Sequence, residues 1–335
     1  MKAIVQDRYG SFEALQTREI AKPEIGAGEV RVRVHAAGLN IGVAFAVKGA
    51  PLPMRLESGL LRPKYGVPGY DFAGQVEAVG SAVTHFGPGD EVYGVANGTC
   101  AEYVRASEDK LALKPVNLAY DEAAALPVSA LAALHGLRDA GKLQPGQKVL
   151  INGASGGVGS FAVQIAKALG AEVTGVTSTR NVEMVRSLGA DHVIDYTRED
   201  FTKGGPRYDL IFDNVENRSV GDCRRALTPD GTLVLNSGTG ARGLAMLVRL
   251  ARPFVLSPFV HHDLRRYLSH PNRTDLTILT GLVEEGKLKP VIDTAYALGD
   301  VPAALRQIEA GHVRGRVVVT VADADAREKD WALSA

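Results

Sequence analysis

The first third of the chain alternates. Glu29-Val-Arg-Val-Arg-Val-His35 sets apolar and polar residues in strict succession, and Gly74-Gln-Val-Glu-Ala-Val79 repeats the pattern more loosely. A period of two predicts strands with one buried face. Gly66-Val-Pro-Gly69 and Gly87-Pro-Gly-Asp90 supply turn residues between such runs. The opening Met1-Lys-Ala-Ile-Val-Gln-Asp7 reads as a first strand and lacks the long apolar run of a signal peptide. Residues 1–120 are therefore expected to form a small, irregular β-rich domain.

The pattern changes near Asn117. From Asp121 to Ala140 an alanine-rich stretch has helical composition, with Asp121 and Glu122 in its first turn, where the helix dipole favours acids. Apolar strands and helices then alternate. Strands are expected at Lys148–Asn152, Glu172–Thr177, His192–Asp195, Leu210–Asp213 and Thr232–Asn236, with helices at Val158–Gly170 and Asn181–Leu188. That βαβαβ rhythm predicts an α/β unit with a doubly wound parallel sheet over residues 121–265. A third segment, 266–335, carries helices at Arg273–Gly286 and Val301–Gly311, then a closing strand at Arg316–Val321. The parallel sheet already has enough strands, so this segment is expected to return to the first domain. Ala322 to Ala335 reads as a loosely held, charged tail.

Charge and composition narrow the partners. Lys plus Arg (38) balances Asp plus Glu (38), and there is no basic block, so nothing draws the chain to nucleic acid or an anionic membrane. Cys100 and Cys223 are isolated and form no disulfide framework or Cys-x-x-Cys pair. No stretch approaches the ~20 apolar residues of a membrane span. Gly243–Val260 is the most apolar segment, and arginines and prolines interrupt it. A cytoplasmic protein acting on a small molecule is the expectation.

One turn carries chemistry. In Gly153-Ala-Ser-Gly156-Gly-Val-Gly159 a short apolar strand runs into a glycine-rich turn and a helix leaves it. Glycines let the chain turn sharply and let a pyrophosphate approach the helix N-terminus, whose free N–H groups and dipole favour an anion. Cofactor choice is read at the end of the second strand, about 20 residues on, where an Asp or Glu would take the ribose hydroxyls of NAD. Here stand Thr177-Ser178-Thr179-Arg180, with no acid until Glu183. Hydroxyls and a guanidinium suit a 2′-phosphate, which favours NADPH.

Taken with that turn, several segments give a resemblance. Ala37-Gly-Leu-Asn40, Val67-Pro-Gly-Tyr-Asp-Phe-Ala-Gly74, Gly87-Pro-Gly-Asp-Glu-Val92, Ala101-Glu-Tyr-Val104, Ala125-Leu-Pro127 and Glu285-Gly-Lys-Leu-Lys-Pro290 together resemble the zinc-free branch of the medium-chain dehydrogenase/reductase superfamily. Within it the chain is similar to the quinone oxidoreductase (zeta-crystallin)-like group, from Met1 to about Val321. The resemblance implies a Rossmann doubly wound parallel sheet inserted in a GroES-like β-rich domain, with the active site in the cleft between them. It implies that the run Ser155, Gly156, Gly157, Val158 and Gly159 holds the pyrophosphate, with Asn152 also at the cofactor and with Ser178, Arg180 and Tyr196 around the 2′-phosphate. Asn214, Ser237 and Gly238 would line the nicotinamide side. Asn40 would face nicotinamide and substrate. A homodimer is the group's expectation, with Leu235 and the Ala245–Val260 region as a candidate patch.

The chain also departs from its relatives. Zinc-dependent ones need a Cys directly after the glycine matching Gly38 and a Gly-His-Glu where Gly69-Tyr-Asp71 stands, and carry a four-cysteine lobe. None of these is present, and adjacent His261-His262 diverge on regular structure, so no metal is expected. The zinc-free pattern continues its asparagine as Asn-Pro-x-Asp, where this chain has Asn40-Ile-Gly-Val43, and offers a Thr where Ala132 stands. The expected activity is hydride transfer from NADPH to a quinone or α,β-unsaturated carbonyl without zinc. Asn40 and Tyr70 are the candidates for steadying the developing oxyanion, and Tyr93 is a third. Two alternatives stay open: an enoyl or enone reductase of a biosynthetic pathway, and an NADPH-binding protein with little or no turnover.

Overall fold

A computed structural model describes residues 1–50, 52, 55–204, 207–236, 261–311 and 313–321. The chain forms two compact units, one of residues 1–128, 271–284 and 290–335, the other of 129–270 and 285–289.

The first unit opens with β1 (Lys2–Val5) paired antiparallel to β2 (Gln16–Glu19). Then come β3 (Glu29–Leu39), α1 (Ile41–Lys48), α2 (Arg55–Ser58), β4 (Asp71–Val79), β5 (Glu91–Val95), β6 (Tyr103–Ser107), β7 (Leu111–Leu113) and α3 (Tyr120–Ala124). In β3 the alternation works as expected: Val30, Val32 and Val34 are buried, while Arg31 and Arg33 point outward. The strand also runs four residues beyond the alternating stretch, through buried Ala36, Ala37, Gly38 and Leu39. There successive residues are all buried, so both faces are covered and alternation stops being informative.

The helix expected from Asp121 to Ala140 is broken. α3 stops before Leu126, and α4 (Pro127–Leu134) starts on Pro127, which lacks the N–H that a continuing helix would need but suits a first helical position. His135–Ala140 then continues as a wider π turn, closed by the Gly141 N–H on the Gly136 carbonyl.

The second unit holds β8 (Lys148–Asn152), α5 (Gly157–Ala168), β9 (Glu172–Thr177), α6 (Val182–Ser187), β10 (His192–Asp195), β11 (Tyr208–Asp213), α7 (Val220–Arg225), β12 (Leu227–Leu235) and β13 (Asp263–Arg266). The six strands are all parallel, in the order β10-β9-β8-β11-β12-β13. The order reverses between β8 and β11, and that switch point is where doubly wound sheets open a crevice at their strand C-termini. Sequence pattern had no purchase on β13, a charged edge strand of four residues. One face of the sheet contributes Leu150, Ile211, Leu233, Leu235 and Leu264 to a core shared with Val220 and Cys223 of α7.

The chain returns to the first unit through α8 (Arg273–Glu284), β14 (Ile292–Ala297), α9 (Val301–Ala310) and β15 (Arg316–Thr320). β15 lies antiparallel on β3, and Val317 and Val319 join the core of β3, β4 and α1. The resulting sheet runs β14-β15-β3-β4-β5-β7, with β6 also on β3. No helix among the described residues is long and apolar enough to cross a membrane.

Candidate dinucleotide and active site

The glycine turn connects β8 to α5. Gly153 takes a left-handed conformation (φ +78), and the N–H groups of Gly153 and Ala154 both donate to the Val176 carbonyl of β9. Gly156 caps α5 in extended conformation and no side chain caps the helix. The first-turn N–H groups are thus left to a ligand or water, and the dipole adds positive potential there. A Cβ on Gly159 would lie 2.0 Å from the Gly153 oxygen, so only glycine lets the helix approach its own turn this closely. At Gly156 the nearest atom to such a Cβ is 3.4 Å away, and the space beyond it is open. These features fit the pyrophosphate of a dinucleotide. Gly157 and Val158, half-buried, form the lip of that first turn.

Ser155 points away from that turn's axis toward β9. Its Oγ accepts from Thr177 Oγ1 at 2.8 Å and from Asn181 Nδ2 at 3.1 Å. Asn181 also donates to Ser178 Oγ at 3.4 Å, while its Oδ1 is buried without a partner. Ser178 is half-buried at the start of the short 3-10 turn Thr179–Asn181, on which Thr179 and Arg180 are exposed. Tyr196, 48% exposed, follows β10, and its N–H donates to the Thr177 carbonyl. Ser155, Ser178, Arg180 and Tyr196 therefore gather at the C-terminal ends of neighbouring strands.

An acid also sits there, which the sequence reading placed no nearer than Glu183. Asp195 is in register with Thr177, and its Oδ2 accepts from Thr179 Oγ1 at 2.6 Å. Hydrogen bonds from Thr179 first, then from Thr197, hold its carboxyl below the usual carboxylate range. Parallel pairing of β9 with β10 brings it in from sixteen residues away, a distance no local motif spans.

On the other side of the switch point lies a net of amides. Asn152 is buried and donates Nδ2 to Asp213 Oδ1 (2.8 Å) and to Asn217 Oδ1 (3.0 Å). Asn214 Nδ2 donates to the Asn152 carbonyl, and Asn236 Nδ2 donates to Asn214 Oδ1 at 2.8 Å. Asp213 is fully buried and its Oδ2 has no partner, so burial pushes its carboxyl up. Asn152 thus braces the crevice floor, and Asn214 lies on its rim. Ser237 and Gly238 lie outside the described residues, as does the Ala245–Val260 patch.

In the first unit Asn40 caps α1, its Oδ1 accepting from the Val43 N–H, while its Nδ2 donates to Asp71 Oδ2 at 3.2 Å. Asp71 is fully buried; it also accepts from the Val128 N–H and pairs with Arg316, which donates onward to the Ala125 carbonyl. Burial pushes the Asp71 carboxyl up, against the pull of the Arg316 guanidinium. Tyr70 is half-buried and lines a small cavity with Tyr9, Ser58, Tyr65 and Asn97.

Tyr93 is a correction. Its ring is fully buried, and its hydroxyl donates to the Leu276 carbonyl at 2.7 Å beside Thr280 Oγ1. Burial raises its pKa further from neutrality, so it is a core tyrosine tying β5 to α8 rather than a proton donor. Ala132, where a threonine was sought, is nearly buried and offers only its carbonyl, which accepts from Tyr267 Oη.

Residues 26–178 match the alcohol dehydrogenase GroES-like domain family, and residues 188–319 match the zinc-binding dehydrogenase family. The chain is 33% identical over 341 residues to 2-methylene-furan-3-one reductase of Solanum lycopersicum, covering 95% of this chain and 79% of that one. It is 34% identical over 340 residues to the chloroplastic NADPH-dependent alkenal/one oxidoreductase of Arabidopsis thaliana, with the same coverage, 95% and 79%. The quinone oxidoreductase from Coxiella burnetii superposes with a TM-score of 0.83 at 32% identity, covering 96% of this chain and 99% of that one. The chain belongs to the zinc-independent, quinone oxidoreductase-like group of the medium-chain dehydrogenase/reductase superfamily. As a member of that group it is an NAD(P)-dependent oxidoreductase.

Among the described residues of this quinone oxidoreductase-like protein, the zinc in the second family's description finds no donor set. Among the described residues no three His, Cys, Asp or Glu side chains converge on a point. His262 Nδ1 accepts from Arg224 Nε, and burial with that guanidinium lowers its pKa, so it is an engaged neutral ring. Both cysteines are buried thiols, pushed up to about 12.

Proposed function

We propose that this protein is an NADPH-dependent reductase of quinones or α,β-unsaturated carbonyls that works without zinc. The observation that carries the reading is the side-chain-free N-terminus of α5 behind the glycine turn, with Ser178 and Arg180 one strand away. Family membership supports the chemistry, and the reductases of tomato and Arabidopsis named above support the substrate class.

When bound, a reduced nicotinamide supplies the hydride. The chain's own residues do the rest. The open turn at Gly156 admits the pyrophosphate, Arg180 and Ser178 select the 2′-phosphate, and the amides around Asn214 seat the far half. Tyr70 is the candidate donor to the oxygen on which charge develops. Asn40 holds its amide toward Asp71 and so acts by orientation. The protein is expected to work as a cytoplasmic homodimer, which sedentary size measurement by light scattering and fractionation of cells would check.

A panel of quinones, enals and enones, assayed by loss of NADPH absorbance, tests the reading. Turnover of at least one class, undiminished by a chelator, is expected. A second reading has its own support: Asn40 is engaged by Asp71 and Ala132 brings no hydroxyl, which suits a protein that binds NADPH with little turnover. NADPH binding by fluorescence with no oxidation by any panel member would favour that reading.

A further inference from the structure

Glu216 takes a left-handed backbone conformation, φ +54. Among the described residues only Lys142 shares that feature without being glycine. A non-glycine side chain in this region is strained and persists only where its surroundings hold it. Asp213 and Arg266 hold it here. From below, Asp213 Oδ1 accepts the N–H groups of Val215 at 3.0 Å and Glu216 at 2.8 Å. From the side, Arg266 Nη2 donates to both carboxylate oxygens of Glu216, at 3.0 and 2.9 Å. The pair is nearly buried, with side-chain exposures of 13% for Arg266 and 5% for Glu216.

Glu216 lies in the turn that follows β11, and Arg266 lies on β13. Arg266 ends β13, Leu235 lies beside it on β12, and Asp213 lies beside Leu235 on β11. The ion pair thus spans β12 and fastens the turn Asn214–Asn217 at the C-terminal edge of the sheet. This turn carries Asn214 and Asn217, whose side chains meet the amide net of Asn152 and Asn236. A dinucleotide at the switch point lays one half on each side of it. With the glycine turn, Ser178 and Arg180 on the β8-β9-β10 side, the nicotinamide half falls to the β11-β12-β13 side.

We propose that Glu216 and Arg266 form a positioning clamp that holds the turn Asn214–Asn217 in the shape that receives the nicotinamide half of the cofactor. The inference rests on the dinucleotide reading above. Neither residue is a catalytic one. A buried ion pair by itself adds little to stability, and a strained residue subtracts from it, so positioning accounts for the arrangement better than stability does.

The test uses the full-length protein and two ligands, NADPH and 2′,5′-ADP, the second of which carries only the adenosine half and its phosphate. Variants are Glu216→Gly, Glu216→Gln and the double change Glu216→Gly with Arg266→Met. Glycine accepts φ +54 without strain, and the double variant removes both charges of the pair together. Calorimetry is expected to show NADPH weakened by about tenfold in both glycine variants and less in Glu216→Gln, which keeps one acceptor. Binding of 2′,5′-ADP stays within about twofold. Equal weakening of both ligands, or unchanged NADPH binding in the glycine variants, overturns the clamp and leaves the dinucleotide reading standing. Failure of the wild-type protein to bind either ligand overturns both.

Discussion

Asp71 and Arg316 meet at 2.5 Å with exposures of 0% and 2%, 245 residues apart in the chain. The pair joins β4 to β15, and its other hydrogen bonds reach the Asn40 amide, the Val128 N–H and the Ala125 carbonyl. The C-terminal segment is thereby tied to the β domain by charge as well as by sheet pairing.

Breaking one side of such a pair leaves a buried charge alone. Asp71→Asn and Arg316→Met are each expected to cost about 3–5 kcal/mol, whereas the double variant should recover much of the loss. Urea unfolding followed by fluorescence measures it. Single variants that unfold at the wild-type midpoint would show that the pair is not fixed in solution.

The glycine turn allows a separation of folding from binding. At Gly159 a methyl group would strike the Gly153 oxygen, so Gly159→Ala is expected to lower the thermal midpoint as well as dinucleotide binding. At Gly156 the methyl group would meet only ordinary contact within the protein but would stand where the pyrophosphate must come. Gly156→Ala should therefore keep the wild-type midpoint and weaken NADPH by about tenfold or more. Equal binding by Gly156→Ala and wild type would place the pyrophosphate elsewhere.

Two tyrosines offered as proton donors now part company. Tyr93→Phe removes a buried hydrogen bond to Leu276 and should cost about 1–3 kcal/mol of stability with kcat unchanged. Tyr70→Phe should lower kcat by about a hundredfold on substrates that need an enzyme acid. If Tyr93→Phe lowers kcat and Tyr70→Phe does not, the assignment is reversed.

The reason sequence separated these residues poorly is physical. Local spacing reports what neighbours in the chain do: the turn at Gly153–Gly159, the strand Lys148–Asn152 and the alternation of β3 were all readable because each is set within a dozen residues. Tyr93 is decided by Leu276 and Asn40 by Asp71, partners that only tertiary structure supplies. Asp195 escaped notice for the same reason, since its meeting with Thr179 depends on the register between two parallel strands. Glu216 had no sequence signal at all, because a left-handed glutamate is held by Arg266 from β13.

The proposed preference for NADPH puts Arg180 at the 2′-phosphate. A guanidinium at a 2′-phosphate contributes about 1.5–3 kcal/mol through a charge-assisted bond, so Arg180→Ala should weaken NADPH by about tenfold to a hundredfold. NADH has no 2′-phosphate and should be nearly indifferent. Dissociation constants for both cofactors decide the matter. Equal losses would mean that Arg180 shapes the turn rather than reading the phosphate.

The Thr179–Asp195 bond also gives this edge of the sheet a pH dependence whose sign is fixed. Asp195 is held below its ordinary value of 3.8 in the folded protein, chiefly by the Thr179 hydroxyl. A carboxyl depressed by folding contributes stability that is fully present above the unfolded value and is lost as pH falls through the folded one. Thr179→Val removes the main cause of the depression. The gap in thermal midpoint between wild type and Thr179→Val should therefore be constant from about pH 7 to about pH 5 and shrink as the pH approaches about 3. Other carboxyls titrate in both proteins and cancel in the difference. Asp195→Asn, which has no proton to gain, should differ from Thr179→Val at neutral pH and converge with it in acid. A gap that stays constant down to about pH 3 would mean that the hydroxyl does not hold the ionised carboxylate.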